Sequence, residues 1–520
     1  MAAMSVQKCI FSLLTLLAVL DSPTRVGADS PKVVKMDISR RSSSSSSSST
    51  NHAYGRLARR NTVNVVVNNA VFQGLYFVNA TVGTPPQPVQ LQIDTGSSDV
   101  WVFGPNSCDE NTSPCLGGVF DPSESSSIKV VGKDEFKIEY GTPNSDVVGN
   151  YITDDFGIGG ITIKNLTMAV ATDAKVVPTG IMGIGFDTDE SLVAQGSKPY
   201  PNIIDVMVEQ GLISTRAYSL WLNDLDSSTG NVLFGGYDTD KFSGKLLTLP
   251  IQPDAQTGNV STMTVAWTSL SVTNSSGSDG VTKTITPDNF AEAALLDSGT
   301  TVTLLPTDLY EELAQFFGAV EDPYSGATLV DCDLLDSSTG TLNFGFGGSG
   351  GPVIKVPFSE FALPLEYEDG SLACQLGIQP LTEPDLGVIL GDTFLRSAYV
   401  VYDLDNKQIS LAQTVFNSTS SNVVEMKASS SVGTLVSGVT VTQTATGLQA
   451  PGFQASATDM PSVTLSETAL QFTGTALATG TSSGSDKSGA ASSAVVPGTF
   501  ASVAVCMLAM VLGTALMTFH

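Results

Sequence analysis

The sequence predicts an all-β body built from a duplicated unit, and three observations support this. Between about residue 61 and residue 415, short apolar runs alternate with Gly, Pro, Asn and Asp, as is typical of strands joined by turns. Helical patterns are few and short, and one acidic turn motif occurs twice. A chain with many short strands and few helices belongs to the all-β class.

Six runs are the strand candidates, and two are the helix candidates. The strand candidates are VVV, LYFVNATV, VQLQI, FKIEY, GITIKNLTMAV and VVYDLDNKQISLA. The helix candidates are NIIDVMVEQGL and TDLYEELAQFFGAV, each only a few turns long. The duplicated motif directly follows apolar strand candidates, so it is expected at strand ends rather than on helices.

The first 60 residues have the composition of two removable segments. Residues 1–28 contain the apolar run CIFSLLTLLAVL and end in small residues, which predicts a secretory signal peptide rather than a membrane span. Residues 29–60 carry seven Lys or Arg against two Asp, and an eight-serine run. This basic segment ends in Arg59 and Arg60, a dibasic pair suited to a processing protease. We expect a pro-segment here, with an unstructured linker as the alternative.

The C-terminal hundred residues indicate a stalk and an anchor signal. Residues 416–487 are dominated by Ser, Thr, Gly and Ala, which predicts a flexible, Ser/Thr-rich stalk. Residues 488–520 contain no Asp, Glu, Lys or Arg and end in an apolar run. Small residues, a polar spacer and an apolar end are typical of a GPI-anchor signal, and a plain tail anchor is the alternative. The expected route is secretion to the cell surface, at the plasma membrane or the cell wall.

Charge and histidine content exclude several functions. The net charge is −27, and residues 61–420 hold 13 Lys or Arg against 44 Asp or Glu. Such an acidic body repels nucleic acid, so no nucleic-acid partner is expected. The two histidines, His52 and His520, lie outside the body, which excludes Ser-His-Asp and Cys-His catalysis and a His-ligated zinc site there. The DCDLLD stretch lacks the Gly and terminal Glu of a calcium loop, so we assign no metal and no cofactor.

Cysteines and sequons fit an oxidising, secretory environment. Cys108, Cys115, Cys332 and Cys374 lie in the body, and four cysteines allow three pairings. We favour the local pairs, Cys108 with Cys115 and Cys332 with Cys374, because each pair stays in its own half of the chain. Six N-x-Ser/Thr sequons predict a glycosylated surface; they begin at Asn79, Asn111, Asn165, Asn259, Asn274 and Asn417.

The repeated motif places one acid after an apolar strand in each half of the body. LQIDTGSSDVWV contains Asp94, and ALLDSGTTVTLL contains Asp297, 203 residues later. Each half also has a downstream apolar-apolar-Gly strand, in TGIMGIGF and in GVILGDTF. The pattern indicates an internal duplication of a long unit.

Two such acids can hydrolyse a peptide bond without histidine or metal. One carboxylate activates water while the other, protonated, polarises the carbonyl, and two carboxyls this close titrate as a pair; aspartic proteases are the standard example of this behaviour. A Gly two residues after each Asp allows a tight turn and offers an N–H. The neighbouring hydroxyls can donate further hydrogen bonds to keep one acid ionised.

These motifs together resemble the pepsin-type (family A1) aspartic endopeptidases. The resemblance covers roughly residues 74–413 and includes YFVNATVGTPPQPVQLQIDTGSSDVWV, IEYGT, IMGIG, LLDSGTT and VILGDTFLRSAYVVYDLDNKQISLA. With the signal, pro-segment, stalk and tail, the chain is further similar to the fungal, GPI-anchored yapsin-like branch. The family implies two β lobes with a substrate cleft between them, here residues 61–240 and 241–415. It also implies a monomer that acts on proteins or peptides.

The resemblance assigns roles to individual residues. Asp94 and Asp297 match the catalytic dyad. Tyr140, Gly141 and Thr142 match the flap that closes over substrate, and Gly299 and Thr300 match positions that hold substrate main chain. The supporting residues are Thr95, Gly96, Ser97, Ser298 and Trp101, the last matching the aromatic that braces the flap tyrosine. Ordinary core packing remains the alternative for Trp101 and Tyr140.

Further expectations concern charge near the cleft. Pro143 follows the flap motif where the family often has Gly, which stiffens the flap tip. Asp146 lies close by, and we hypothesise that it favours substrates with Lys or Arg; a solvated loop acid is the alternative. Lys32 or Lys35 of the pro-segment is expected to reach the dyad. A binding protein on the same fold and a structural wall glycoprotein are the rival functions, and neither accounts for two matched acid turns.

Overall fold

The computed structural model describes most of the body and part of the N-terminal segment. The described residues are 32–40, 55–57, 75–108, 115–140, 145–227, 229–254, 258–274, 281–322, 326–335, 340–367, 372–382, 387–428 and 432–436. The predicted signal peptide, the VVV run, the dibasic pair and the predicted anchor signal lie outside these residues. Within the described part of the chain, no helix is long and apolar enough to cross a membrane.

The predicted all-β class is confirmed, because strands dominate both halves of the body. Those of the first half are β1 (Val34–Arg40), β2 (Gly55–Leu57), β3 (Tyr76–Val82), β4 (Gln87–Asp94), β5 (Val100–Phe103), β6 (Lys129–Glu139), β7 (Asp146–Ile158), β8 (Ile161–Ala174), β9 (Gly180–Gly183), β10 (Ala217–Trp221), β11 (Thr229–Phe234) and β12 (Gly236–Asp238). Most of them join one 14-stranded sheet, and their buried apolar residues belong to a large core that extends into the second half.

The second half contributes the remaining strands and two further sheets. Its strands are β13 (Phe242–Pro250), β14 (Thr264–Asn274), β15 (Val281–Thr284), β16 (Glu292–Leu296), β17 (Thr303–Leu305), β18 (Val320–Glu321), β19 (Thr328–Val330), β20 (Gly340–Phe346), β21 (Val353–Pro357), β22 (Ala362–Tyr367), β23 (Leu372–Leu376), β24 (Ile378–Pro380), β25 (Val388–Leu390), β26 (Ala398–Asp403), β27 (Gln408–Thr414), β28 (Val423–Glu425) and β29 (Thr434–Leu435). An eight-stranded sheet runs β21-β20-β14-β16-β25-β17-β24, with β15 on β14, and a five-stranded sheet runs β18-β19-β23-β22-β2. β13, β26 and β27 instead join the large sheet of the first half, so one sheet links the two lobes.

In the residues that the structure describes, helices are few and short, as predicted. They are α1 (Ser191–Ala194), α2 (Ile203–Glu209), α3 (Thr307–Phe316) and α4 (Asp392–Leu395), with 3-10 turns at Pro122–Glu124, Asp187–Asp189, Cys332–Leu334 and Phe358–Phe361. α2 and α3 correspond to the two helix candidates. α2 begins at a capping box, in which the Asn202 side chain accepts from the Asp205 amide and the Asp205 carboxylate accepts from the Asn202 amide.

The sheet between the lobes has two distinct faces. Along β10 and β26, side chains alternate: Tyr218 and Tyr402 lie on one face, and Trp221 and Tyr399 lie on the other. The Tyr402 hydroxyl donates to the Leu296 carbonyl at 3.5 Å, which places the first face directly beneath the Asp297 turn. The second face carries a separate apolar cluster.

The chain after the body covers that second face. β28 pairs antiparallel with β12, and β29 pairs parallel with β13. Met426 is 2% exposed and packs with Trp221 and Tyr399. The structure therefore differs from the predicted stalk at its start: residues 416–428 and 432–436 are packed on the body. Sparse apolar residues in a polar segment supply these contacts.

The pro-segment is also packed differently from the expectation. β1 lies between β11 and β3, with alternate residues Val34, Met36 and Ile38 buried. Lys35 points to the exposed side, where its ammonium lies 3.4 Å from the Asp37 carboxylate. The expectation that Lys32 or Lys35 reaches the dyad is wrong, because strand alternation turns Lys35 away from the core and Lys32 is exposed at the strand entry.

The two local disulfide pairs are confirmed. Cys108 is bonded to Cys115, and Cys332 is bonded to Cys374 on β23. The first closes a short loop beside β5. The second joins the Cys332–Leu334 turn to the five-stranded sheet.

Candidate active site

Two matching strand arrangements position Asp94 and Asp297. Asp94 ends β4, which runs parallel to β9, while β5 pairs antiparallel with β9. Asp297 follows β16, which runs parallel to β25, while β17 pairs antiparallel with β25. Each apolar-apolar-Gly strand, β9 or β25, thus lies next to the strand that leads to an aspartate. The sequence duplication is a duplication of local structure.

Each carboxylate receives the same two hydrogen bonds from its own turn. The Gly96 N–H and the Ser97 hydroxyl donate to Asp94, at 2.8 and 2.5 Å. The Gly299 N–H and the Thr300 hydroxyl donate to Asp297, at 2.8 and 2.6 Å. Both aspartates are fully buried, so these bonds offset part of the cost of removing a carboxylate from water.

The residues after the two aspartates tie the lobes together. The Thr95 hydroxyl donates to the Leu296 carbonyl (2.8 Å) and accepts from the Ser298 N–H (3.0 Å). The Ser298 hydroxyl donates to the Ile93 carbonyl (3.0 Å) and accepts from the Thr95 N–H (3.2 Å). Four reciprocal bonds across the boundary fix the relative position of the two acids.

The turns that carry Asp94 and Asp297 lie so close together that a side chain does not fit at Gly96. A Cβ added at Gly96 would lie 2.7 Å from Asp297 Oδ1, so Gly96 is required by space as well as by its turn. Burial raises the pKa of Asp94 well above its ordinary value, and the charge of Asp297 raises it further. Burial also raises the pKa of Asp297, against the hydrogen bonds from its turn. Two carboxyls in this environment hold one proton more readily than none.

Tyr140 and Trp101 are brought together beside Asp94. The Trp101 indole N–H donates to the Tyr140 hydroxyl at 2.5 Å, and both rings are buried in an aromatic cluster with Phe103, Phe136 and Tyr151. Burial, and then the charge of Asp94, raise the pKa of the Tyr140 phenol. The pair therefore packs in the core, and the Tyr140 phenol lies close enough to Asp94 to be affected by its charge. Gly141, Thr142 and Pro143 lie outside the described residues.

Asp146 is not a free charge. It begins β7, and its carboxylate lies 2.7 Å from the Lys175 ammonium. Because a neighbouring cation offsets the Asp146 charge, this residue gives no support to a preference for basic substrates.

Two polar residues near the acids were missed by the motif comparison. The Gln92 side chain, on β4, donates to the Gly299 carbonyl at 2.9 Å and so links the two turns. Asp392 opens α4 and is fully buried, and its backbone N–H donates to the Thr300 carbonyl at 2.8 Å. The sequence feature that could have identified them is the polar side chain within each of the apolar runs VQLQI and VILGDTF.

No metal centre accompanies the two acids in the described ranges. There, no group of three or more His, Cys, Asp or Glu side chains is placed to hold an ion. The donors around the dyad are N–H and O–H groups, which stabilise a carboxylate rather than coordinate a cation.

Comparisons with known proteins identify the family and several relatives of this chain. The family model described as eukaryotic aspartyl protease matches residues 75–414. The chain is 39% identical over 431 residues to a protein named probable aspartic-type endopeptidase opsB from Aspergillus fumigatus, covering 80% of this chain and 84% of that protein. It is 37% identical over 434 residues to probable aspartic-type endopeptidase OPSB of Arthroderma benhamiae, with coverage of 80% and 84%. Candidapepsin-3 of Candida albicans is 36% identical over 386 residues, with coverage of 71% and 86%.

Proposed function

The chain belongs to the eukaryotic aspartyl protease family and is an aspartic-type endopeptidase, and from this premise we propose that Asp94 and Asp297 are its catalytic dyad. The observation that carries the proposal is their symmetry. Two buried carboxyls, one per lobe, meet with matching donors from Gly96 and Gly299. A structural role needs neither the symmetry nor the shared burial.

In the proposed mechanism the dyad holds one proton. A water molecule between the carboxyls attacks the scissile carbonyl carbon, and the ionised carboxylate takes the proton that the water loses. The protonated acid donates its proton to the carbonyl oxygen. The tetrahedral intermediate then collapses: the carboxyl that took the water proton gives it to the amine, which leaves, and a hydroxyl of the intermediate returns a proton to the other carboxylate. The dyad thereby regains its single proton, so no cofactor is required.

The surrounding residues have supporting roles in this proposal. Thr95 and Ser298 hold the acids at a fixed separation, and Tyr140, braced by Trp101, closes the flap over substrate and excludes water. Gly141, Thr142, Gly299 and Thr300 bind the substrate main chain. The proposed substrates are proteins or peptides with basic or hydrophobic residues at the cleavage site. The acidic body supports the former and the aromatic cluster at Tyr140 supports the latter.

Hydrolysis of a general protein substrate in acid tests the dyad. We expect wild-type activity that pepstatin abolishes, and a loss of at least about 10³-fold in kcat for Asp94→Asn and for Asp297→Asn. Circular dichroism of both variants should match wild type, because each amide replaces a carboxyl of the same shape. A folded Asp94→Asn variant that keeps wild-type kcat would refute the assignment.

The proposed location is the cell surface. A signal peptide, a dibasic site and a GPI-like tail support secretion, removal of residues 29–60 and attachment to the plasma membrane or the cell wall; the relatives include a Candida albicans protein named secreted aspartic protease 3. Cleavage after Arg60 would separate β1 from the body. Replacing Arg59 and Arg60 with Ala should leave a larger, less active form, and unchanged size and activity would contradict this processing step.

A further inference from the structure

A groove on the first lobe has a glycosylation sequon in its floor. Its volume is about 720 Å³, within the range of small-ligand sites. The floor comes from paired residues of β3 and β4, including Asn79 and its cross-strand neighbour Gln90. One wall is the loop that follows Cys115, and the other is the β7–β8 turn.

The sequon is oriented into this groove. Asn79 and Thr81 are two residues apart on β3, so their side chains share one face, and both line the groove. Asn79 is exposed. Its Oδ1 accepts from the Gln90 amide at 3.3 Å, while no described residue accepts a hydrogen bond from its Nδ2, the atom to which a glycan is attached.

Glycines let the two walls lie close against the floor of the groove. An added Cβ at Gly117 would overlap the Gln90 carbonyl oxygen, and one at Gly157 would overlap the Thr81 hydroxyl. Gly160, at φ +80°, forms the turn that edges the second wall. The result is a cleft with exposed backbone and amide groups next to Pro88 and Val89, a mixture that suits the polar and apolar faces of sugar rings.

The other sequons in the described residues lie elsewhere. Asn165 is exposed on β8, outside the groove. The Asn417 side-chain amide donates to the Asp224 carboxylate. Asn259 and Asn274 are also outside the groove, and Asn79 is the described sequon that lines it.

We propose that Asn79 carries an N-linked glycan whose first sugars lie in this groove and join its two walls. The occupant follows from covalent attachment: the first sugar must begin at Asn79 Nδ2, inside the groove. The glycan would order the loop after Cys115 and the β7–β8 turn. This inference rests on the proposed secretory route, because N-glycosylation takes place there.

Glycopeptide mass spectrometry of the full chain, secreted from a eukaryotic host, is the first test. We expect Asn79 to be occupied, and its glycan to be released from native protein by an endoglycosidase at least about tenfold more slowly than that of the other occupied sequons. Denaturation should remove the difference. An unmodified Asn79 beside other occupied sequons, or release at their rate, overturns the proposal. A secreted chain without glycan at Asn79 overturns this proposal alone, whereas failure of the chain to reach the medium overturns the secretory route on which it rests.

A matched pair of variants tests the effect on the walls. Thr81→Ser keeps the sequon, while Thr81→Val removes it with little change in shape. We expect amide hydrogen exchange of residues 115–118 and 157–162 to be at least fivefold faster in Thr81→Val than in Thr81→Ser, with equal kcat. Equal exchange in the two variants contradicts the bridging role.

Discussion

At the scale of single residues, Asp94 and Asp297 show how a buried acid is kept usable. Burial disfavours the charged form of each aspartate and raises the pKa of both carboxyls. The two hydrogen-bond donors at each carboxylate act in the opposite direction and favour the charged form. The outcome is a pair that retains one proton in mild acid and can lose the other. An apolar site without the donors would leave both acids neutral and unable to accept a proton from water.

The cross-lobe bonds of Thr95 lead to a prediction about stability. Thr95→Val removes the hydroxyl but keeps the shape, and leaves the Leu296 carbonyl and the Ser298 N–H without this partner. We expect a loss of about 1–3 kcal/mol in the free energy of unfolding and a fall in kcat larger than any change in KM. Urea unfolding and steady-state kinetics measure both. Thr95→Ser, which keeps the hydroxyl, is the control; equal stability of the two variants would contradict the role of the bond.

The sequence predicts local contacts of these residues better than distant ones. The Asp–Thr/Ser–Gly–Ser/Thr motif specifies its own turn, so the donors at Gly96 and Ser97 follow from residues two and three positions away. Gln92 and Asp392 contact the other turn or a distant strand, and nothing in a short window indicates which partner they meet. The ion pair between Lys175 and Asp146 could not be predicted for the same reason, because the two residues are far apart in the sequence.

At the scale of elements, regular strands and both helix candidates were predictable from periodicity. β1 and β28 were not, because they lie in segments whose average composition is basic or Ser-rich. Each segment has only a few apolar residues, such as Met36 in β1 or Met426 just after β28. These residues become buried only where the body offers an unpaired strand edge or an uncovered sheet face. Composition averaged over a segment conceals such contacts.

The packed segment after the body leads to a second prediction. Met426→Ala should lower the free energy of unfolding by about 2–5 kcal/mol, because it leaves a cavity against Trp221 and Tyr399. Val423→Ala, at a site 38% exposed, should cost less than about 0.5 kcal/mol. Denaturant unfolding compares them, and activity at low temperature should be equal, since the dyad lies on the other face of the sheet. Equal stability of the two variants would show that this segment does not seal the sheet.

At the scale of the whole molecule, the cleft and the C-terminal segment lie on opposite faces of the sheet that links the lobes. Tyr402 contacts the Asp297 turn from one face, and Met426 covers the other. The segment around Met426 therefore lies on the side of the sheet away from the dyad.

The acidic body also predicts greater stability in acid. Burial raises the pKa of Asp94, Asp99, Asp297 and Asp392, and raises that of Glu190 to about 10. The folded protein then binds protons more tightly than the unfolded chain, so the free energy of unfolding falls as the pH rises from about 4 through the folded pKa values. Self-repulsion from a charge of −27 acts in the same direction. Calorimetry should give a higher Tm at pH 4 than at pH 7, and the reverse order would contradict these pKa directions.

The pH dependence of kcat/KM tests the central claim most directly, because it reports the protons held by the free enzyme. A dyad that works with one shared proton predicts a bell-shaped profile for a neutral peptide substrate, with its maximum in acid and little activity once both carboxyls are ionised. An optimum above about pH 7.5, or a rate that rises steadily with pH, would contradict a singly protonated Asp94–Asp297 pair as the source of catalysis.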